Sequence, residues 1–488
     1  MLTSPDWLRH QALTHPTRLA LVTPEGRWTF RALDHEVARV AGILRQRGVG
    51  AQQRVAFHLL PSASTVFLIH ALTRLRAVMV PLNTRLTAPE LRRLLVDADP
   101  ALVVHDGRLG LSAPCPEIAI QELLRESPED AVYDAQLSFE DLHALVYTSG
   151  TTGRPKGVEL TVGNQWWSAV GFALNAGLDP GDRWMHVMPL FHVGGLTILF
   201  RSLIHGSAVV LEPRFDAFRV YQRMRDEGCT LLSVVPTMLY RLIALNDPAP
   251  PQLRLVLLGG APAPAALVHA AWDKGYPAVP TYGLTETCSQ IVTLDPSAVR
   301  ERATTSGRPN LPTEVRIVRE GRSVAAGEFG EIWVRGPTVA RGYWHNPAET
   351  QATFGDGWLK TGDWGALDAE GFLTVTDRVK DIIIRGGENV YPSEVEARLK
   401  EVPDVVDAAV FGLPDPEWGQ IVAAALVLKP ETSLTPAALR TYLSASLASY
   451  KMPSKYFRVE DIPRNASGKI LRTALMERAG SWKEWTCE

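Results

Sequence analysis

Residues Tyr147 to Leu160 have the sequence YTSGTTGRPKGVEL, which is the most informative segment of the chain. An apolar, strand-like lead runs into a loop with three glycines, four hydroxyl residues and one lysine, Lys156. Glycines let backbone amides approach an anion, hydroxyl groups donate to it, and the lysine adds a positive charge. The segment is chemically a polyphosphate cradle, although the GxxxxGK[ST] spacing of a Walker A loop fails here. The alternative is a flexible surface turn.

Short apolar runs alternate with helical patterns on both sides of this segment, as in the βα units of a layered sheet. Upstream, the apolar spacing from Val37 to Leu44 predicts a helix, and Val55 to Leu60 and Leu102 to Val104 predict strands. Downstream, Leu231 to Val235 and Leu253 to Leu258 are nearly continuous apolar runs. Such runs are typical of parallel strands that are buried on two faces.

The pattern changes in the last third of the chain. From Glu314 to Arg335 apolar residues recur with period two, which predicts antiparallel sheet or a small barrel. A compact α+β pattern follows Lys380. The predicted fold class is therefore α/β, with a large N-terminal domain of layered α/β sheets plus a small β-barrel-like subdomain, and a small mobile α+β C-terminal domain. We place the N-terminal domain at 1-378, a hinge at 379-382 and the C-terminal domain at 383-488.

The bulk composition excludes several classes of protein. At 488 residues the chain exceeds what one hydrophobic core usually supports. A formal net charge of −3 offers no broad cationic field for nucleic acid or an anionic membrane. The four cysteines form no CxxC pair, and no uncharged apolar run reaches the roughly 18 residues of a membrane-spanning helix. We expect a cytoplasmic protein with no membrane span and no nucleic-acid partner.

The decapeptide TSGTTGRPKG resembles the signature of the adenylate-forming superfamily, which includes acyl-CoA synthetases, luciferases and nonribosomal adenylation domains. Further segments resemble the family's other motifs in the family's order, and the resemblance covers essentially the whole chain. They are GGAPAP from Gly259, TYGLTET from Thr281, WLKTGDW from Trp358, DRVKDIIIRGGENVYPSEVE from Asp377 and PRNASGKILR from Pro463. The resemblance implies an AMP-forming ligase that activates an acid with ATP and Mg²⁺ and transfers the acyl group to coenzyme A.

The resemblance also implies roles for single residues. Thr285 reaches the phosphate, Glu286 holds Mg²⁺ with Thr152, and Tyr282 stacks on the adenine. Asp363, predicted to lie in a turn, binds both ribose hydroxyls. The residues expected at ATP are Thr148, Ser149, Gly150, Thr151, Thr152, Gly153, Lys156, Gly260, Ala261, Pro262, Tyr282, Gly283, Asp363 and Arg378. Taken singly, these segments also have plain structural interpretations, such as a helix cap at Thr285 or a βα turn after Gly259.

The C-terminal motifs imply a change of domain orientation between the two half-reactions. Lys469 contacts the reacting carboxylate and the α-phosphate in the first step. Lys380 is the hinge, and Gly386 and Gly387 line the tunnel for coenzyme A in the second step.

The segments PLFHVGGLTILFRSLIHGSAVVL and TYGLTETCSQIVTLDP resemble the o-succinylbenzoate–CoA ligases of menaquinone biosynthesis within this family. The resemblance puts His192 beside the reacting carboxylate, although a packed core histidine is an equal alternative. An acid that keeps a second carboxylate needs a cation or polar donors, and we nominate Arg201, Ser289 and Gln290. Arg201 could equally be a structural salt-bridge partner.

Other functions stay open at this stage. The partners implied are a small-molecule carboxylic acid, ATP and coenzyme A, and the chain is compatible with a homodimer. A fatty-acyl or aryl-acid CoA ligase of broader specificity is the alternative enzyme. From a different class, a nucleotide-binding scaffold without activity is the alternative, and intact Lys156, Glu286, Asp363 and Lys469 argue against it.

Overall fold

The structure is a computed structural model of the chain. It describes residues 2–107, 109, 113–133, 135–148, 155–261, 263–378, 381, 383–385, 388–415, 418–445, 447, 449–464, 468, 470 and 471–486. The chain forms two compact units, one of Met1–Val315 with Val334–Lys360 and the other of Arg316–Trp333 with Thr361–Glu488.

The strands follow one another along the chain with these bounds: β1 Thr3–Pro5, β2 Leu19–Thr23, β3 Gly26–Thr29, β4 Arg54–His58, β5 Val78–Pro81, β6 Leu102–His105, β7 Glu117–Ala119, β8 Gln136–Ser138, β9 Leu142–Thr148, β10 Lys156–Thr161, β11 Arg183–His186, β12 Ala208–Leu211, β13 Leu231–Val234, β14 Leu255–Leu258, β15 Ala278–Leu284, β16 Ser289–Thr293, β17 Arg308–Pro309, β18 Glu314–Arg319, β19 Arg322–Ser323, β20 Gly330–Arg335, β21 Leu359–Leu367, β22 Leu373–Arg378, β23 Ile383–Arg385, β24 Glu388–Val390, β25 Val405–Asp415, β26 Gly419–Leu428 and β27 Lys455–Arg458.

The α-helices have these bounds: α1 Trp7–Thr14, α2 Phe30–Gln46, α3 Ala63–Arg74, α4 Ala88–Ala98, α5 Ile120–Leu123, α6 Val162–Ala176, α7 Val193–His205, α8 Ala217–Asp226, α9 Pro236–Ile243, α10 Ala265–Asp273, α11 Val299–Arg302, α12 Pro347–Thr353, α13 Pro392–Lys400, α14 Pro436–Ser444 and α15 Arg472–Ala479.

Two large sheets organise the first unit. The nine-stranded sheet has the order β17-β16-β15-β14-β13-β11-β12-β2-β3 and is parallel from β15 to β2. The six-stranded sheet has the order β10-β9-β5-β4-β6-β7, in which only the β9–β10 pair is antiparallel. Strands such as β14 are buried along their whole length, as their unbroken apolar sequence predicts.

Helices of the first unit begin where the sequence offers a capping side chain. The Thr29 side chain accepts a hydrogen bond from the backbone N–H of Ala32 at the start of α2, and Thr161 and Asn164 cap α6 reciprocally. Helix α7, which carries Arg201, is buried along most of its length because its sequence VGGLTILFRSLIH is almost entirely apolar. This burial places the charge of Arg201 inside the unit.

The second unit combines two small sheets. One has the order β19-β18-β20-β21-β22 and corresponds to the predicted period-two region. The other has the order β24-β23-β26-β25, and β27 adds parallel to β26. Val395, Leu399, Leu439 and Leu443 of helices α13 and α14 pack in the same hydrophobic cluster as the buried face of this sheet. The mixed α/β fold class is confirmed. The predicted hinge at 379-382 concerns motion and stays a prediction. No helix in the described ranges has the length and apolarity that crossing a bilayer requires.

Candidate functional site

The glycine-rich segment joins two strands of the six-stranded sheet. Strands β9 and β10 pair antiparallel, with Thr148 opposite Lys156, and the Thr148 hydroxyl donates to the Lys156 carbonyl oxygen at 3.4 Å. Lys156 was predicted to lie in the loop, and it is instead the first residue of β10. Predicted ATP-binding residues between these strands lie outside the described residues; they are Ser149, Gly150, Thr151, Thr152 and Gly153.

Lys156 sits among groups that no motif of the sequence pointed to. Its ammonium group forms an ion pair with the carboxylate of Glu349 on α12 and lies 5.0 Å from the centre of the Tyr343 ring. The Tyr343 hydroxyl in turn donates to Oε1 of Glu286 at 2.9 Å. The predicted phosphate-binding cation and the predicted metal ligand are thus linked through one aromatic side chain.

Glu286 follows strand β15 in a short 3₁₀ turn, Thr285–Thr287. Its backbone oxygen accepts from the Ala340 N–H at 2.8 Å, and its carboxylate accepts from Tyr343. Among the described residues no lysine or arginine pairs with this half-buried carboxylate. A carboxylate with a neutral donor on one oxygen and no resident cation fits Mg²⁺, a hard ion that prefers oxygen ligands. Glu286 therefore fits the predicted metal role, which stays a prediction, and the second predicted ligand, Thr152, lies outside the described residues.

The turn after Glu286 is tight and strained. Cys288 and Ser289 both have positive φ, 52° and 89°, which non-glycine residues rarely adopt. The Thr287 hydroxyl donates to the Ser289 carbonyl oxygen at 2.9 Å and stabilises this turn of the chain. Gly283 is required on the facing strand, because a Cβ there would lie 2.1 Å from the Ser289 oxygen. The sequence TYGLTETCSQ thus places Tyr282 and Glu286 on a rigid hairpin.

The predicted adenine segment follows strand β14. Residues 259–264 connect β14 to α10, as the alternative interpretation of this segment, a βα turn, predicts. Gly260 has φ of 78°, a conformation that favours glycine. Tyr282, on the neighbouring strand β15, is only 9% exposed. Ala261 is half-buried, and Pro262 lies outside the described residues.

The second unit holds the predicted ribose-binding residues. Asp363 was predicted to lie in a turn, and this is wrong. It is a buried residue of strand β21, at a register shift, and faces Arg378 of β22 in the antiparallel pairing. The register brings the two predicted ribose ligands together on adjacent strands. The predicted residues Lys380, Gly386, Gly387 and Lys469 lie outside the described residues.

His192 precedes helix α7 and is held by its backbone. Its carbonyl oxygen accepts from the N–H groups of Gly195 and Leu196, both at 3.0 Å. The imidazole lies 4.6 Å from the Phe191 ring at an interplanar angle of 58°, and its buried Nε2 has no hydrogen-bond partner among the described residues. Burial, aided by the positive charge of Arg85, lowers the pKa of His192 to about 4. The side chain is therefore neutral at physiological pH.

The three residues nominated for the acid pocket meet in the structure. Arg201 Nη1 donates to Oε1 of Gln290 at 2.8 Å, and the Ser289 hydroxyl donates to the same oxygen at 3.2 Å. A fourth member was missed: Arg201 Nη2 donates to the Ser168 hydroxyl oxygen at 2.7 Å, and that hydroxyl donates to the Cys288 carbonyl oxygen at 2.8 Å. The sequence signal that could have found Ser168 is its place on the buried face of α6.

Arg201 is a buried cation without a protein counter-ion. The residue is 2% exposed, and no carboxylate pairs with it among the described residues. Burial lowers the pKa of Arg201 to about 10, which still leaves it charged at neutral pH. Its Nε and the Nε2 of Gln290 are buried, and neither has a hydrogen-bond partner within the described ranges. The salt-bridge alternative for Arg201 is therefore not what this structure shows.

Comparisons with known proteins agree with this picture. The AMP-binding enzyme family matches residues 8–344, and the AMP-binding enzyme C-terminal domain matches residues 394–469. The chain is 42% identical over 482 residues to a 2-succinylbenzoate–CoA ligase of Bacillus velezensis, covering 98% of this chain and 99% of that protein.

Two solved structures of the o-succinylbenzoate CoA synthetase of Bacillus subtilis are also similar. The complex with the acyl-adenylate intermediate aligns with a TM-score of 0.93 at 40% identity, covering 97% of this chain and 98% of that one. The complex with ATP and magnesium ion aligns with a TM-score of 0.92 at 39% identity, covering 97% and 100%. With both family matches and relatives that align over nearly its whole length, the chain belongs to the AMP-binding enzyme family.

Proposed function

We propose that this chain is an o-succinylbenzoate–CoA ligase, which converts o-succinylbenzoate to o-succinylbenzoyl-CoA for menaquinone synthesis through an acyl-adenylate intermediate. The observation that carries the choice of acid is the buried guanidinium of Arg201, which donates to neutral oxygens and pairs with no carboxylate in the part of the chain that the structure describes. The names of the similar proteins contain the same substrate.

The charge of Arg201 needs an anion. Removing an ion from water costs several kcal/mol, and neutral hydrogen bonds recover only part of that cost. O-succinylbenzoate keeps an aryl carboxylate that takes no part in the reaction, so this group would complete the ion pair and satisfy the open Arg201 Nε and Gln290 Nε2. Gln165 adds support, because its buried amide has no hydrogen-bond partner in the described part of the chain and lies one helical turn before Ser168 on α6.

In the first half-reaction the aliphatic carboxylate of the acid attacks the α-phosphorus of ATP, and pyrophosphate leaves. Catalysis of such a step is mainly positioning and stabilisation of the charge on the phosphoryl oxygens. We assign Lys469 to the α-phosphate, as the family resemblance implies, and Lys156 of the polyphosphate cradle to the outer phosphates. Glu286 would hold the magnesium ion, whose chemistry is to neutralise phosphate charge. Neutral His192 borders the carboxylate without adding charge.

In the second half-reaction the thiol sulfur of coenzyme A attacks the acyl carbon, and the bond to AMP breaks. The thiol loses its proton and AMP leaves with its phosphate charged, so no protein nucleophile is needed. We assign Lys380 to the hinge and Gly386 and Gly387 to the passage for the thiol arm, and these three assignments stay predictions. Lys469→Ala should abolish pyrophosphate exchange and keep thioester formation from supplied acyl adenylate.

The test compares two acids that differ in one group. Formation of AMP and of the CoA thioester would be measured with o-succinylbenzoate and with 4-oxo-4-phenylbutanoate, which lacks the aryl carboxylate. We expect kcat/KM to favour o-succinylbenzoate by at least about thirtyfold, since removing one partner of a buried charge pair costs about 2–5 kcal/mol. Arg201→Leu should remove most of this preference. Equal use of both acids, or of fatty acids, would favour the broader ligase instead.

A matched control uses an arginine that already has a carboxylate partner. Arg76 pairs with Asp141 through two hydrogen bonds, at 2.6 and 2.9 Å. Arg76→Leu should leave the ratio of the two kcat/KM values unchanged. A chain that binds ATP but forms no AMP with any acid would instead be the nucleotide-binding scaffold.

We also propose a cytoplasmic location and a homodimeric assembly. The cytoplasm fits the described cysteines Cys115, Cys229 and Cys288, all of which are free thiols. Cell fractionation tests the location, and light scattering on the purified protein tests the assembly.

A further inference from the structure

Tyr343 lies between the two charged groups that the nucleotide site requires. Its hydroxyl donates to Oε1 of Glu286 at 2.9 Å, and its ring centre lies 5.0 Å from Lys156 Nζ. A phenol ring attracts an ammonium group through its face and donates a hydrogen bond through its hydroxyl. One side chain can therefore position a cation and an anion at the same time.

The backbone fixes Tyr343 to the elements that carry both partners. Tyr343 pairs with Val158 as an antiparallel bridge, and the Trp344 N–H donates to the Gly157 oxygen at 2.8 Å. This segment therefore lies along β10, the strand that begins with Lys156. Three residues before Tyr343, the Ala340 N–H donates to the Glu286 backbone oxygen at 2.8 Å. Residues 340–344 thus join β10 to the turn of Glu286.

The side chain is also tightly held. Tyr343 is 8% exposed, and its ring packs edge-on against Phe354 at 5.3 Å. Its backbone N–H donates to the Thr350 hydroxyl oxygen at 2.9 Å. Burial and the negative charge of Glu286 raise the pKa of Tyr343, which keeps the hydroxyl protonated and able to donate.

The two charged partners of Tyr343 differ in whether a counter-ion is bound to them in the described part of the chain. The Lys156 ammonium group already has a counter-ion, Glu349, whose side chain is 40% exposed. Glu286 has no cationic partner among the described residues, and Tyr343 is its side-chain donor. A hydroxyl that binds one carboxylate oxygen leaves the other free and limits the rotation of the group.

We propose that Tyr343 is a positioning residue for the metal–ATP complex: its hydroxyl orients Glu286 to accept the metal, and its ring confines Lys156 at the outer phosphates. This role rests on the adenylation step of the proposed function and does not depend on which acid is used. Tyr343 itself touches neither the reacting carboxylate nor the α-phosphorus.

The proposal separates the two ends of the side chain, so two variants test it. Tyr343→Phe keeps the ring and removes the hydroxyl, whereas Tyr343→Leu removes both. Calorimetric titration would give Kd for ATP in EDTA, for ATP with Mg²⁺, and for AMP. The ratio of the two ATP constants is the metal-dependent gain in affinity.

We expect Tyr343→Phe to reduce this gain by about tenfold or more, as for the loss of a hydrogen bond to a charged group, while Kd for metal-free ATP and for AMP stays within about twofold. Tyr343→Leu should in addition weaken metal-free ATP binding. Tyr240→Phe, at an exposed tyrosine of α9, is the control and should change none of the constants.

The outcomes are distinguishable. If Tyr343→Phe keeps the full metal-dependent gain, or weakens AMP as much as metal–ATP, the positioning role is wrong although the proposed function stands. If the unaltered protein shows no metal-dependent gain for ATP, both the role and the adenylation step fail. Near-ultraviolet circular dichroism of each variant establishes that losses do not arise from unfolding.

Discussion

Arg201 donates from Nη1 to the side-chain oxygen of Gln290 at 2.8 Å, although 89 residues separate them in the chain. The acceptor is an amide where a buried guanidinium would ordinarily meet a carboxylate. Replacing that amide by a carboxylate of the same shape would supply an internal counter-ion. The geometry therefore allows the positive charge of the proposed acid pocket to be neutralised by one isosteric substitution.

We predict that Gln290→Glu makes the pocket reject a second carboxylate on the acid. The new carboxylate pairs with Arg201, so the aryl carboxylate of o-succinylbenzoate meets a neutralised site and KM for this acid rises about tenfold or more. The same change should leave kcat/KM for 4-oxo-4-phenylbutanoate unchanged or improved. Steady-state kinetics with both acids measure this effect. A parallel loss for the two acids would mean that the substitution merely damages the fold.

Ser168 links the acid pocket to the strained turn that carries Cys288. Its hydroxyl accepts from Arg201 and donates to the Cys288 carbonyl oxygen, at 2.7 and 2.8 Å. We predict that Ser168→Ala lowers the free energy of unfolding by about 1–3 kcal/mol, because a charged donor and a buried acceptor both lose their partner. Urea unfolding followed by tryptophan fluorescence measures the loss.

Ser202 provides the control for this prediction. It lies on α7 next to Arg201, is 1% exposed, and has a hydroxyl without a hydrogen-bond partner among the described residues. Ser202→Ala removes a buried hydroxyl with no bond to lose, so its urea midpoint should match that of the unaltered protein. Equal losses in the two variants would contradict the bridging role of Ser168.

The carboxylate of Glu349 forms an ion pair with the ammonium group of Lys156, which we assign to the outer phosphates. We predict that Glu349→Gln tightens binding of metal-free ATP and of pyrophosphate about two- to fivefold, since a partly exposed ion pair contributes up to about 1 kcal/mol. AMP, which carries only the α-phosphate, should bind as before. Titration calorimetry at two salt concentrations checks this, and the gain should shrink at high salt.

Glu314→Gln is the matched control for Glu349. Glu314 forms an exposed pair with Arg335, with Nη2 to Oε2 at 2.6 Å, and neither residue is a predicted site residue. The variant changes the net charge by the same amount as Glu349→Gln. If it tightens ATP binding equally, the effect comes from the overall field of the protein and not from release of Lys156.

The sequence predicted those features that depend on local chemistry. Buried parallel strands such as Leu255–Leu258 have an unbroken apolar sequence, so the α/β class follows from composition along the chain. The predicted turn at Asp363 was wrong because a Gly-Asp pair also fits a strand at a register shift. Local residue preference does not distinguish these two conformations.

Local sequence patterns did not predict the tertiary contacts of the site. Tyr343 lies 57 residues from Glu286, and Glu349 lies 193 residues from Lys156. Neither residue belongs to a segment with its own chemical signature, and each acquires its role from the neighbours that the fold supplies. The acid pocket was nominated as a cation with polar donors inside two segments that resemble the family, and the structure added Ser168, whose sequence context is that of an ordinary apolar helix.

The buried imidazole of His70 should make the free energy of unfolding depend on pH. It is fully buried in α3, and burial, the charge of Arg74 and the neighbouring His143 lower its pKa from 6.5 to about 3. Above pH 6.5 both the folded and the unfolded chain hold this imidazole neutral. As the pH falls below 6.5, only the unfolded chain takes up the proton, so stability is lost until the pH nears 3. Each such histidine adds up to about 1.4 kcal/mol per pH unit to the slope.

We predict that His70→Leu makes the urea midpoint less sensitive to pH between 6 and 4.5, whatever its effect at pH 7.5. His143, whose pKa burial also lowers to about 3, keeps part of the slope in this variant. His10→Gln is the control, because His10 is exposed and its loss should leave the slope unchanged. If the midpoints of the His70 variant and the unaltered protein fall in parallel on acidification, the imidazole of His70 is not the group that the folded chain keeps unprotonated.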